Sequence, residues 1–247
     1  MLRALASSVI NVLHRTLIGP RDITGIVIAV IMALKLKKAA LKCRTIEDFV
    51  NLAYSLRSTR LSVRPLQIKE EFSVLLKLLV RVRPKLILEI GTAGGGTLFL
   101  LSRVASSDAT LISIDLPNGP FGGGYPKWKI PLYKSFVWGQ QKIILVEADS
   151  HNPDTLEDIE KSLSDRKLDF LFVDGDHTYD GVKRDFEMYG RLVRPGSIIA
   201  FHDIVPGPPE NVGGVPEFWN EIKQNADSVE IVENWEQGGF GIGVVFV

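Results

Sequence analysis

Five short apolar runs, separated by helical patterns and glycine-rich turns, constrain this chain more than any other feature. They fall at residues 86–90, 110–115, 142–147, 168–174 and 198–201. Each is too short for a helix and too continuously apolar for a sheet with one wet face. Strands buried on both faces and alternating with helices define a parallel sheet covered on both sides. The helical segments lie between them. Leu75, Leu76, Leu78, Leu79 and Val82 form one apolar face, which Pro84 ends, and 97–104 and 153–163 follow. Val182, Phe186 and Tyr189 mark a further inner face, with Pro195-Gly196 expected to end that helix, and 215–225 is the last. Two final strands are expected near 229–234 and 240–247. The short link through Gln237-Gly238-Gly239 has no room for a crossover helix, so these two should pair antiparallel.

The chain has 247 residues, enough for one α/β domain with an N-terminal extension. Lys and Arg balance Asp and Glu at 29 each. With no net basic field, nucleic acid is not an expected partner. A single cysteine, Cys43, excludes an intramolecular disulfide and fits a reducing, cytoplasmic setting.

Residues 1–65 read as helical and form the expected extension; 66–247 form the α/β domain. Pro20 with Asp22, and Thr45 with Glu47 and Asp48, look like helix starts. Residues 23–34 are an uncharged apolar run followed by Lys35, Lys37, Lys38 and Lys42. Twelve helical residues reach roughly 18 Å, short of a ~30 Å hydrocarbon core. The run starts late and no small-residue cleavage site follows, so a cleaved leader is not expected. It is expected to be buried against the core or a second subunit, which would make the chain a homo-oligomer. The runner-up is peripheral membrane contact through residues 23–42.

Ligands of open α/β sheets bind at the carboxyl ends of the strands. The unusual residues concentrate there. Glu89-Ile-Gly91-Thr92-Ala-Gly94-Gly95-Gly96 follows the first strand, and its glycines let the backbone turn sharply against a ligand. Asp115 ends the second strand, where a carboxylate can accept from two ribose hydroxyls. Asp149 and Ser150, after the third, suit an adenine edge or a helix cap equally. Asp174, Asp176 and His177 follow the fourth strand, and His202-Asp203 ends the fifth. Carboxylates suit Mg²⁺, Mn²⁺ or Ca²⁺; imidazole can ligate or carry a proton. If the fourth and fifth strands are neighbours, Asp174 and Asp203 can share one cation, and without one they would repel. Loops 116–133 and 205–216, rich in proline and glycine, are candidate lids or substrate walls.

Glu89-x-Gly91-x-x-x-Gly95, Asp115, Val173-Asp174-Gly175-Asp176-His177 and Phe201-His202-Asp203-Ile204 together resemble class I S-adenosylmethionine-dependent methyltransferases. The resemblance spans roughly residues 66–247. It is strongest to the group holding cephalosporin hydroxylase-like proteins, rhamnosyl O-methyltransferases and macrolide-sugar O-methyltransferases; segments 213–219 and 234–239 are similar to that group too. It implies a seven-stranded Rossmann-like sheet, mostly parallel, with an antiparallel last strand. It implies S-adenosylmethionine held by Glu89, Gly91, Thr92, Gly95, Asp115, Asp149, Ser150 and Asp174. It also implies a divalent cation, Mg²⁺ first, at Asp174, His202 and Asp203. Related catechol and caffeoyl-CoA O-methyltransferases carry an Asp-Asn pair where this chain has His202-Asp203. They place a lysine base three residues beyond the first metal Asp, where this chain has His177. The expected reaction is methyl transfer to a hydroxyl of a small molecule, a sugar or glycosylated metabolite first. The alternatives are an NAD-dependent oxidoreductase, since NAD enzymes share the glycine turn and strand-end acid, and a non-catalytic assembly protein. Cofactor, metal and base candidates at one rim favour the enzyme.

Overall fold

The computed structural model describes residues 20–56, 63–119, 121 and 123–247. The helical reading of residues 1–19 and 57–62 lies outside these. Helix α1 spans Pro20–Ala40 and α2 spans Ile46–Ser55. Thr45 caps α2 as its sequence implies: its hydroxyl accepts from Asp48 N, and Asp48 reaches back to the Thr45 backbone. Helix α3 is Lys69–Val82; its buried face, Phe72, Leu75, Leu76 and Leu79, follows the 3.6-residue period.

The strands are β1 Leu86–Ile90, β2 Thr110–Asp115, β3 Lys142–Glu147, β4 Leu168–Val173, β5 Val193–His202, β6 Asp227–Ile231 and β7 Ile242–Phe246. They form one seven-stranded sheet in the order β3-β2-β1-β4-β5-β7-β6. Strands β1 to β5 pair in parallel, while β7 runs antiparallel to both β5 and β6. This is the mostly parallel sheet with a reversed last strand that the sequence implied. Every residue of β1 is buried, because helices cover both faces. One core layer joins α1, α2, α3 and α4 (Gly96–Val104) with α5 (Ile130–Lys134). The other joins α6 (Pro153–Leu163), α7 (Tyr179–Tyr189) and α9 (Val215–Ile222); α8 (Pro209–Val212) is a short turn between β5 and α9.

Several elements differ from the sequence reading. The loop after β2 contains a 3₁₀ turn, Lys127–Lys129, and α5, because Trp128 and Tyr133 are drawn into the α1 side of the core. Helix α7 stops at Tyr189, before Pro195, and β5 begins at Val193. Pairing to β4 shifts register after Leu168 and resumes at Ile198, so Pro195 occupies an irregular stretch where its missing N–H breaks no ladder bond. Helix α9 ends at Ile222, short of the expected 225.

The strand order reverses between β1 and β4. Their carboxyl ends, the glycine turn and Asp174, therefore meet at the crevice where α/β folds bind ligands.

Candidate active site

A cavity of about 600 Å³ opens at that crevice, a volume ordinary for a small-molecule site. Gly91, Ala93, Asp115, Asp149, Ser150 and Asp174 lie on its wall. Gly91 has φ +99°, and a Cβ there would meet the Asp174 carbonyl oxygen at 2.0 Å, so only glycine lets β1 and β4 close up at this point. Glu89, Thr92 and Gly95 lie behind the turn instead. Ser113 Oγ donates to Glu89 Oε2 and lies 2.5 Å from Thr92 Oγ1. Glu89 is fully buried, and burial, reinforced by the fields of Asp174 and Asp115, pushes its carboxyl up to about 8 despite the Ser113 bond.

Asp115 is held by two backbone donors: Ala93 N–H to Oδ2 and Gly124 N–H to Oδ1, both 2.7 Å. Its carboxylate thereby ties the glycine turn to the loop after β2. Burial raises its pKa against those donors. Asp149 and Ser150 do not cap α6; that task falls to Asn152, whose side chain accepts from Asp154 N. Ser150 instead gives its carbonyl to the Tyr189 hydroxyl, and Asp149 accepts from His151 N. His151, also on the wall, sits 3.2 Å from the buried Asp185.

The fourth and fifth strands are neighbours, with Val173 beside Phe201 in register. Asp174 and Asp203 therefore converge. His202 Nδ1 lies 3.0 Å from Asp174 Oδ1 and 3.2 Å from Asp203 Oδ2. His177 closes the cluster, with Nε2 at 3.7 Å from Asp174 Oδ1 and Nδ1 at 3.5 Å from Asp203 Oδ2. Asp176 stands apart: it accepts from Thr178 N and shapes the turn into α7.

Two residues with no sequence signal hold this cluster. Gln67 Nε2 donates to Asp174 Oδ2 at 2.7 Å, while Gln67 Oε1 accepts from Thr97 Oγ1 at 3.0 Å. The Asn211 carbonyl accepts from His177 Nδ1. That bond leaves Nε2 with the lone pair in the neutral ring. The ring of Phe121 stacks on His177, with centroids 4.7 Å apart. Asp203, at φ +62°, turns its Oδ1 to the Phe240 N–H at 3.0 Å.

The donor set fits a divalent cation. Ligands at ~2.1 Å in an octahedron lie ~3 Å from each other, close to the His202 separations from the two carboxylates. Asp174, His177 and Asp203 also bring one ligand atom each within 4.8 Å of one another. The carboxylates are compensated by imidazole in this structure. Burial opposes charge on His202, yet Asp174 and Asp203 outweigh it and push its pKa up to about 10. Burial would raise Asp174, yet His202 and His177 outweigh it and hold its carboxyl far below the usual range. His202 Nε2 is buried with no hydrogen-bond partner among the described residues. Protonated imidazole thus supplies between the carboxylates the positive charge that a metal would bring.

Residues 88–204 match a family model described as a methyltransferase domain. That match and the order of the seven strands agree with a Rossmann-like methyltransferase fold. Its fold is similar to an O-methyltransferase of Streptomyces achromogenes, TomG, involved in tomaymycin synthesis and solved in complex with SAM; identity is 19%, the TM-score 0.55, and coverage 87% of this chain and 95% of that one. It is likewise similar to an O-methyltransferase of Bacillus cereus solved with SAH, at 20% identity and a TM-score of 0.55, over 84% of this chain and 93% of that one. At these identities the likeness is one of fold. An uncharacterized protein of Sinorhizobium fredii, y4gI, is 30% identical over 145 residues, 57% of this chain. The match spans only 15% of that relative's length.

Proposed function

We propose that the chain transfers a methyl group from S-adenosylmethionine to a hydroxyl oxygen of a small molecule, a sugar or glycosylated metabolite first. Asp174, His202 and Asp203 would hold a divalent cation, Mg²⁺ first, and His177 would be the general base. Residues 66–247 would carry this activity, with residues 1–65 as an appended helical extension. The observation that carries the reading is the convergence of Asp174, Asp203 and an imidazole on the wall of the cavity that also holds Asp115 and the glycine turn. The relatives solved with SAM and SAH support the choice of cofactor.

The sulfonium supplies an electrophilic methyl group, and the cation supplies charge stabilisation at the acceptor oxygen. The chain does the rest. Asp115 and the Gly91 turn orient the donor. Gln67 holds Asp174 so that Oδ1 faces the cluster. As the oxygen–carbon bond forms and the carbon–sulfur bond breaks, the hydroxyl proton passes to His177 Nε2. The Asn211 carbonyl fixes the tautomer, and Phe121 shields the ring from water.

The test is methyl transfer from labelled S-adenosylmethionine to a panel of sugar hydroxyls, before and after exhaustive EDTA treatment. Transfer should fall to background and return with Mg²⁺. Full transfer without metal removes the cation from the reading. Heat protection by NAD but not by S-adenosylmethionine overturns the cofactor. A second reading makes His177 a metal ligand, since it belongs with Asp174 and Asp203 to one compact donor group. It predicts that His177→Ala loses metal.

A further inference from the structure

Helix α1 is apolar on two opposite faces. Ile26, Ala29, Ala33 and Leu36 are buried on the inner face, which packs on the 127–134 segment, with Trp128 lying over Gly25. The outer face carries Ile23, Val27, Ile31 and Leu34 at helical spacing, 36–52% exposed, with Leu41 beyond the helix end at 78%. A helix apolar all round belongs in an interior, and here only one side is covered among the described residues. Lys35, Lys38 and Lys42 are exposed beside this stripe. Charge is distributed unevenly: residues 1–46 hold eight Lys or Arg and one acid, Asp22, in a chain with no net charge.

We propose that the outer face of α1 lies flat on an anionic lipid surface, with Ile23, Val27, Ile31, Leu34 and Leu41 in the headgroup–acyl boundary and Lys35, Lys38 and Lys42 on the headgroups. This does not rest on the proposed reaction. Either signal alone binds a membrane weakly; an apolar face joined to a basic cluster binds stably. A crossing segment does not fit, because no helix among the described residues is long and apolar enough to span a membrane. A second copy is the weaker occupant, since a two-fold contact would set the same cationic face against itself.

The experiment is co-sedimentation of the full chain with vesicles of phosphatidylcholine plus phosphatidylglycerol, and with vesicles of phosphatidylcholine alone. The chain should pellet with the anionic vesicles only, and less as salt rises. K35Q/K38Q/K42Q should lower the partition by roughly a hundredfold. Val27→Asn with Ile31→Asn should also release it, with circular dichroism and the melting temperature unchanged. Three results overturn the proposal: no pelleting with either vesicle, pelleting that both variants leave intact, or a light-scattering dimer that the Val27→Asn/Ile31→Asn variant dissociates while vesicle binding is absent. The last assigns the face to a second copy.

Discussion

Gln67 donates to Asp174 Oδ2 across 107 residues of chain, at 2.7 Å. Gln67 is itself buried and held by the Thr97 hydroxyl. Its amide thus fixes which carboxylate oxygen faces the histidines. Partners of this kind, one bond removed from a metal, typically change affinity by about 10–100-fold when removed. Gln67→Leu should weaken Mg²⁺ binding by that factor, read by calorimetry, while S-adenosylhomocysteine affinity stays near wild type. Equal losses of both ligands would instead show a general collapse of the crevice.

Asp115 should matter to the cofactor rather than to the metal. It joins the glycine turn to the loop after β2 through Ala93 N and Gly124 N. Asp115→Ala leaves both donors without their carboxylate. S-adenosylhomocysteine titration should show affinity reduced by roughly tenfold or more, the scale of one charge-assisted hydrogen bond. A folded variant with unchanged affinity removes the proposed ribose contact.

Much of this site was legible because strand ends are marked in sequence. Gly91, Asp115, Asp174 and Asp203 each end or follow an apolar run, and a parallel sheet places such positions on one rim. Neighbouring β4 and β5 then brought Asp174 and Asp203 together. Gln67 and Asn211 were not legible. Gln67 sits in a connection with no periodicity, and Asn211 acts through its carbonyl, which every residue possesses. The start of β5 was misjudged because Pro195-Gly196 reads as a helix stop, whereas an irregular parallel pairing accommodates both. Glu89 belongs to the turn motif, yet its side chain points behind the cavity wall to Ser113, and sequence spacing does not report that direction.

Glu89 should make stability depend on pH. Its folded-state pKa is raised from 4.5 to about 8, first by burial and then by the fields of Asp174 and Asp115. Its contribution is therefore complete below about pH 4.5 and is lost as pH rises through about 8, because the unfolded chain releases this proton first. Glu89→Gln keeps a neutral partner for Ser113 and removes the ionisation. Thermal melts should show the two proteins alike at pH 5 and the variant more stable at pH 9, by on the order of a few kcal/mol. A difference that does not grow with pH means that Glu89 is already ionised in the folded chain.

His177 is where the two readings of the metal cluster separate. Its Nδ1 is committed to the Asn211 carbonyl and its face to Phe121. The other nitrogen, Nε2, faces the cluster at 3.7 Å from Asp174 Oδ1, longer than the 3.0 Å that His202 Nδ1 keeps from the same oxygen. On the proposed assignment His202 shares the ion with Asp174 and Asp203, and His177 lies beside the bound acceptor oxygen, in reach of its proton. His177→Ala should therefore retain Mg²⁺ and S-adenosylhomocysteine affinity while lowering kcat by ~10²–10⁴. His202→Ala should do the reverse in order, losing metal first and turnover as a consequence. Metal content, cofactor titration and single-turnover methyl transfer, measured on one preparation of each variant, distinguish the roles. If His177→Ala is the variant that loses metal, the ligand assignment moves from His202 to His177. If it transfers methyl at the wild-type rate, the proton leaves by another group.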